Sequence, residues 1–203
     1  MKKKIFLFFA LFLLITQTNF SQSKGYGVFV GHQDRFEVKI NSIVLLGVIN
    51  PTIELYITNQ TSVQLESLGI FCRKSFLWTG EPFTLAAAFL EYRYYFHKHN
   101  GFFIGPNAGF GVYRMSKGVI PIMGDAYDGS GKLQYGNNIM LGINIGYKFN
   151  ISNNISMEIC FSPGYQSSYY DGFTPEGDIY AWNQRSDEFM PLYKGGVFLN
   201  FKF

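Results

Sequence analysis

The charged residues most open to chemical interpretation are Lys39, Glu54, Glu66, Glu91, Arg93, Lys148, Glu158 and Lys202. Each follows directly on an aliphatic or aromatic residue, inside a segment that alternates apolar and polar positions. Four acids and four bases in such settings are expected to meet. A charge taken out of water is strongly disfavoured unless it is paired. They are therefore expected to form a buried ionic network, with Glu91 and Arg93 at its centre.

Catalytic chemistry has weaker support. His32, His97 and His99 are the only histidines. His32 falls in an N-terminal lead-in, and His97 and His99 fall in a turn, where they read as polar turn residues. None stands beside a serine in an arrangement that brings nucleophile and base together. No catalytic residue is assigned, and the chain is not expected to be an enzyme. Cys72 and Cys160 with three scattered histidines do not make the convergent set that zinc needs, so no metal and no cofactor is expected. The two cysteines fall on segments expected not to be neighbours and read as free, sequestered thiols. The run Asp125-Ala126-Tyr127-Asp128-Gly129-Ser130-Gly131 lacks the ligand spacing and closing glutamate of a calcium loop. The alternating glycines from Gly105 to Gly111 precede no helix, so they are strand positions and not a phosphate loop.

The elements that would place these charges show a period of two. From Ile139 the odd positions are Ile139, Leu141, Ile143, Ile145, Tyr147 and Phe149. The even ones are Asn138, Met140, Gly142, Asn144, Gly146 and Lys148. Such alternation gives a strand two unlike faces. The same pattern predicts eight strands: 37–47, 52–58, 61–72, 83–96, 101–115, 133–150, 154–166 and 192–203. The first is blurred by the continuous apolar run Ile43–Leu46. The third slips phase between Ser67 and Ile70, where a bulge would fit. The fourth is the clearest guide to an interior. It sets Phe89, Glu91, Arg93 and Tyr95 against Leu90, Tyr92, Tyr94 and Phe96.

Charged residues are 15% of the chain and aromatics 19%. A soluble domain usually carries ~25% charge. Mean hydropathy is only +0.04, too low for a bundle of membrane helices but natural for strands with one greasy face. Lys2, Lys3 and Lys4 followed by the apolar run Ile5–Ile15 have the form of a secretory signal. The expected division is a signal peptide over 1–22, a periplasmic lead-in over 23–36 and a β-barrel over 37–203. Without the three N-terminal lysines, 17 − 3 = 14 basic residues face 14 acidic ones. No basic stripe remains, so nucleic acid is not an expected partner.

The expected connections alternate in length. Turns near Asn59, His99 and Ser152 are tight, while 73–82, 116–132 and 167–191 are long; the short link at Asn50-Pro51 is an exception. Aromatics gather at matching strand ends: Tyr92, Tyr94, Phe96, Phe102, Tyr147, Phe149, Phe201 and Phe203. These would form one girdle, with Tyr113, Tyr135, Tyr165 and Tyr193 marking the opposite rim. An open sheet in lipid would leave backbone groups unpaired, so the eight strands are expected to close. Within the long 167–191 loop, Tyr169, Tyr170, Asp171, Tyr180 and Trp182 are candidates for gripping an external ligand. Folding of the same loop over the barrel mouth, burying its own rings, is the favoured reading, since exposed apolar patches are usually avoided unless used.

Together, the signal, the alternating strands and the ending Gly196-Val197-Phe198-Leu199-Asn200-Phe201-Lys202-Phe203 resemble the small outer-membrane β-barrel proteins of Gram-negative bacteria. Phe201 and the terminal Phe203 resemble the signal read by the outer-membrane assembly machinery. Lys39-Ile40-Asn41 and Glu91-Tyr92-Arg93-Tyr94-Tyr95-Phe96 resemble a family of uncharacterised small barrels, which implies no activity and no functional residue to carry over. The expectation is a single closed eight-stranded antiparallel up-and-down barrel in the outer membrane. It would be a monomer plugged by side chains, in contact with membrane lipid, with a structural or surface-interaction role. The alternative is a ligand-binding or adhesin-type barrel acting through 116–132 and 167–191. A soluble, lipocalin-like barrel would instead need polar residues on its outward face.

Overall fold

The computed structural model describes residues 36–72, 83–116 and 132–203. It contains β1 (Phe36–Asn41), a 3-10 helix (Ser42–Leu46), β2 (Pro51–Tyr56), β3 (Thr61–Cys72), β4 (Phe83–His97), β5 (Asn100–Ser116), β6 (Leu133–Asn150), β7 (Ile155–Phe173) and β8 (Ile179–Lys202). Each strand runs antiparallel to the next. β8 returns to β1, pairing Glu37 with Lys202 and Asn41 with Phe198, which closes the ring. The expected signal peptide and lead-in lie outside the described residues, apart from Phe36. So do 73–82, with Trp78, and 117–131, with the acidic glycine-rich run.

The alternation reaches three dimensions with its phase intact. In β6, Asn138, Met140, Asn144 and Lys148 are buried while Ile139, Leu141, Ile143 and Tyr147 are exposed. β3 keeps one register against β4 from Thr61 to Cys72, so the expected bulge between Ser67 and Ile70 is absent from that pairing. The apparent slip has another cause. Leu68 and Ile70 are inward residues that happen to be apolar, because they line apolar layers of the lumen.

Two expected boundaries are corrected. β1 does not run on to Gly47. The Asn41 side chain accepts from the Ile43 backbone N–H at 3.2 Å, and Gly47 takes φ 81°. Between these caps Ile43–Leu46 coils into the 3-10 helix, since a run without alternation has no polar face to offer one side of a sheet. The link to β2 is therefore no tight turn at Asn50-Pro51. It folds back on β3 through paired backbone bonds between Ile49 and Gly69, and Val48 packs with Ile70 and Phe83. That cluster fills the end of the lumen away from Phe36 and Phe203.

The second correction concerns 167–191. Most of this stretch is strand: β7 continues to Phe173 and β8 begins at Ile179, joined by a turn with Gly177 at φ 97°. Thr174 N–H donates to the Asp178 carbonyl at 2.8 Å across it. The strands were not legible because β8 is exposed on both faces from Trp182 to Phe189. A ribbon wet on both sides needs no alternation of apolar and polar residues.

Glycines on the inner face admit bulky rings from neighbouring strands. At Gly146 a Cβ would collide with the Phe103 ring and lie 2.7 Å from the Cys160 Cβ. Phe103, Tyr95, Cys160 and Phe198 form one buried cluster there. Gly146→Leu is expected to destabilise the protein by ~1–3 kcal/mol through overpacking. The loss would be read from the urea midpoint of protein folded in detergent micelles.

Candidate functional site

The lumen holds a continuous lattice of ion pairs. Inward positions of β1, β2, β3, β4, β6 and β7 bring Lys39, Glu54, Glu66, Glu91, Arg93, Lys148 and Glu158 into the interior, each at most 4% exposed. Lys39 Nζ lies 2.7 Å from Glu54 and 2.6 Å from Glu158. Arg93 is the junction. Its Nε donates to Glu91 at 2.5 Å, and its Nη1 donates to Glu158 at 2.9 Å. Its guanidinium also stands 4.3 Å above the centre of the Phe103 ring. A planar guanidinium can address two carboxylates and an aromatic face at once, which an ammonium cannot match.

Three positions differ from expectation. Lys202 is not in the lattice; at the end of β8 it reaches the rim and donates to Asn150 Oδ1 at 2.8 Å. Glu37 and Lys194, not predicted, are. Lys148 Nζ sits 2.6 Å from Glu37 and also donates to the Tyr56 hydroxyl. Lys194 bridges Glu66 at 2.6 Å and Glu91 at 2.8 Å. Both follow from parity: Glu37 shares a face with Lys39, and Lys194 shares one with Phe198 and Asn200.

With these two included, Glu37, Glu54, Glu66, Glu91 and Glu158 face Lys39, Arg93, Lys148 and Lys194. Neutral donors make up the difference. Tyr95 OH donates to Glu54 at 2.6 Å, and Ser62 donates to the same oxygen. Asn144 donates to Glu91 at 2.8 Å, and Asn50 to Glu66 at 3.1 Å. Hydrogen bonds to a charged acceptor are about twice as strong as neutral ones, which suits them to this task.

Aromatic layers bound the lattice. On the side of Phe36 and Phe203, His99 stacks on Tyr56 at 3.8 Å, and Tyr95 packs against Phe103. His99 is thus more than a polar turn residue; its φ of 48° turns the ring inward over the lumen end. On the other side lie Phe89, Met140 and Ala87, with Tyr193 against them. Tyr193 and Tyr113 do not mark an outer rim as expected. Tyr113 is buried, and Tyr193 leaves the β8 ladder at the irregularity opposite Ser162–Gly164 and lies over Gly142 and Gly164. Tyr135 and Tyr165 do face outward.

The other candidate residues sit on the extended β7–β8 hairpin. Tyr169 pairs with Arg185 across the strands, and the guanidinium lies 5.6 Å from its ring centre. Asp171 accepts from the Asn183 backbone N–H at 2.7 Å, holding Asn183 at φ 47° in a bulge. Tyr180 lies beside Lys132, Trp182 is two-thirds exposed, and Tyr170 is half-buried. Arg185 forms a surface pair with Asp187 at 2.9 Å, and that carboxylate raises the guanidinium above its ordinary pKa. These residues are spread along a ribbon and do not converge on a cleft. Phe201 and Phe203 stand at the ring's terminal edge, where Phe203 stacks on Phe36 at 5.3 Å.

Arg93→Met strands Glu54, Glu91 and Glu158 with fewer partners and is expected to cost ~3–5 kcal/mol. Lys202→Met touches only the rim and is expected to stay within ~0.5 kcal/mol of the parent. Urea unfolding of the two variants in the same micelles compares them directly.

No curated protein and no solved structure matches the chain. A family model described as "Protein of unknown function (DUF3575)" matches residues 7–203. That span takes in every described strand, and the chain belongs to this family.

Proposed function

We propose that this chain is a small outer-membrane β-barrel protein, exported by the signal over 1–22 and working at the outer surface through its projecting hairpin, without catalysis. The observation that carries this is the inversion of polarity. Ion pairs fill the lumen, while the outward face is apolar. Outward positions run through Ile53, Leu55, Leu65, Leu90, Ile104, Phe110, Ile139, Leu141, Ile143, Ile159, Phe161, Val197 and Leu199, and several of these are about half exposed. Among the described residues, no acidic or basic side chain interrupts that band. A water-soluble protein does not expose an apolar surface of this extent without a partner, and lipid is the partner that suits a continuous ring.

Aromatics at the terminal edge support the same orientation. Tyr94 packs edge-on against Phe96, Phe102 against Tyr147, and Phe36 stacks on Phe203. Rings of this kind favour the membrane–water boundary. The hairpin then stands on the outer side, beyond the exposed pair Tyr165 and Phe189. The plugged lumen argues against a pore.

Trypsin added to intact cells is expected to cut at Arg185, and the protein is expected to fractionate with the outer membrane. Protection of Arg185 until the cells are opened would contradict this placement. In planar bilayers the folded protein is expected to give no porin-level conductance. Removing Asp171–Trp182 is expected to leave the heat-dependent gel shift of the folded protein unchanged.

A further inference from the structure

The ring closes only over part of β8. β1 pairs with β8 from Phe198 to Lys202, and Asn41 Nδ2 donates to the Gly195 carbonyl just above. Beyond that point β8 has β7 on one side and, among the described residues, no strand on the other. From Gln184 to Met190 its ladder with β7 is regular, pairing Gln184 with Tyr170 and Met190 with Gly164. The bulge at Asn183 ends this stretch on one side and Pro191 on the other. Among the described residues, the result is one strand-length of sheet whose second edge has no partner for its backbone N–H and C=O groups.

We propose that this edge of β8, from Gln184 to Met190, is a docking site for an extended, positively charged polypeptide segment, which adds to the sheet as a further strand. The proposal rests on the outer-surface placement above and names the kind of partner. Unpaired backbone along a sheet edge is a template for strand addition, with main-chain bonds giving affinity and side-chain complementarity giving choice. The choice is set by charge. Asp171, Glu176, Asp178, Asp187 and Glu188 lie on or beside the hairpin, against Arg185 and Lys132. Arg185 is already held by Asp187. Glu188, within the edge stretch, is exposed. Like-charge contact rejects acidic segments, and lysines or arginines on the incoming strand are drawn in. Trp182, just before the stretch, and Phe189, near its far end, are each 66% exposed and supply apolar contact.

Three labelled peptides of about eight residues, a normal strand length, test this on the full protein folded in detergent micelles. They are alternating lysine–valine, alternating glutamate–valine, and the lysine–valine peptide N-methylated at every second residue on the edge-facing side. Fluorescence anisotropy is expected to show saturable binding of the first that weakens as salt rises. At least tenfold weaker binding is expected for the other two, and for the first peptide on Ser186→Pro. N-methylation alters only the peptide, so that comparison stands even where Ser186→Pro fails to fold. Equal binding of the methylated peptide would reduce the effect to charge alone and overturn strand addition. Self-association of the protein that Ser186→Pro abolishes would give the edge to a second copy and overturn it as well. Lack of binding by a protein that trypsin cuts at Arg185 on intact cells would defeat this inference alone. Protection of Arg185 there would defeat the placement beneath it.

Discussion

A buried charge must find its partner inside the same lumen, and the rest of the structure follows from that demand. Among the described residues, nine acidic and basic side chains, Glu37 to Lys194, share a space that water barely reaches. Each residue that enters it with a charge obliges another to follow. Arg93 satisfies this demand best, because its rigid fork serves Glu91 and Glu158 from one position. The lysines act as bridges: Lys39 joins Glu54 to Glu158, and Lys194 joins Glu66 to Glu91. Such a lattice is not a source of great net stability, since desolvation offsets much of the Coulomb gain. What it imposes is uniqueness. A one-residue slip in a strand that contributes to the lattice would turn its charges outward and its aliphatic residues inward, away from their partners.

The aromatic layers work with the lattice and not apart from it. Phe103 lies under the Arg93 guanidinium and over Gly146, so one ring serves as cation platform and space filler. Tyr56 accepts from Lys148 and carries His99 on its face. Phe89 lies below Lys194 at 5.2 Å and beside Tyr193. Apolar layers at both ends keep the ion pairs in a low-dielectric space, where they attract more strongly and where an unpaired member would cost more. The 3-10 helix and the link after it add a further apolar layer through Ile43 and Val48.

What could be read from the sequence divides along one physical line. Where a strand has one greasy and one polar face, the alternation gave its span, its phase and its inward charges; β3 and β6 match their expected spans. Glu91, Arg93, Lys148 and Glu158 are inward because of parity alone. Legibility failed where the two faces do not differ. Ile43–Leu46 is apolar on every side and became a 3-10 helix. β8 from Trp182 to Phe189 is wet on both faces and carries no alternation to read. Lys202 shows a third limit, since parity assigns a face but not a depth, and at a strand end the side chain escapes to the rim. Tyr193 shows a fourth, because the ladder irregularity that turns it inward has no mark in residue type.

Closure and the open edge are two consequences of the same register. A ring of strands has no edge only over the height that every strand reaches. β1 is six residues long and β8 is twenty-four, so the pair that seals the ring leaves most of β8 without a second neighbour among the described residues. Natural edges of this kind are commonly blunted with bulges, prolines and charges. β8 carries all three, yet the bulge at Asn183 and Pro191 stand at the limits of the stretch and not within it. The charges within it are Arg185, Asp187 and Glu188, and Arg185 and Asp187 already neutralise one another. The blunting therefore sets the length of the edge and the sign of what it accepts, without removing it.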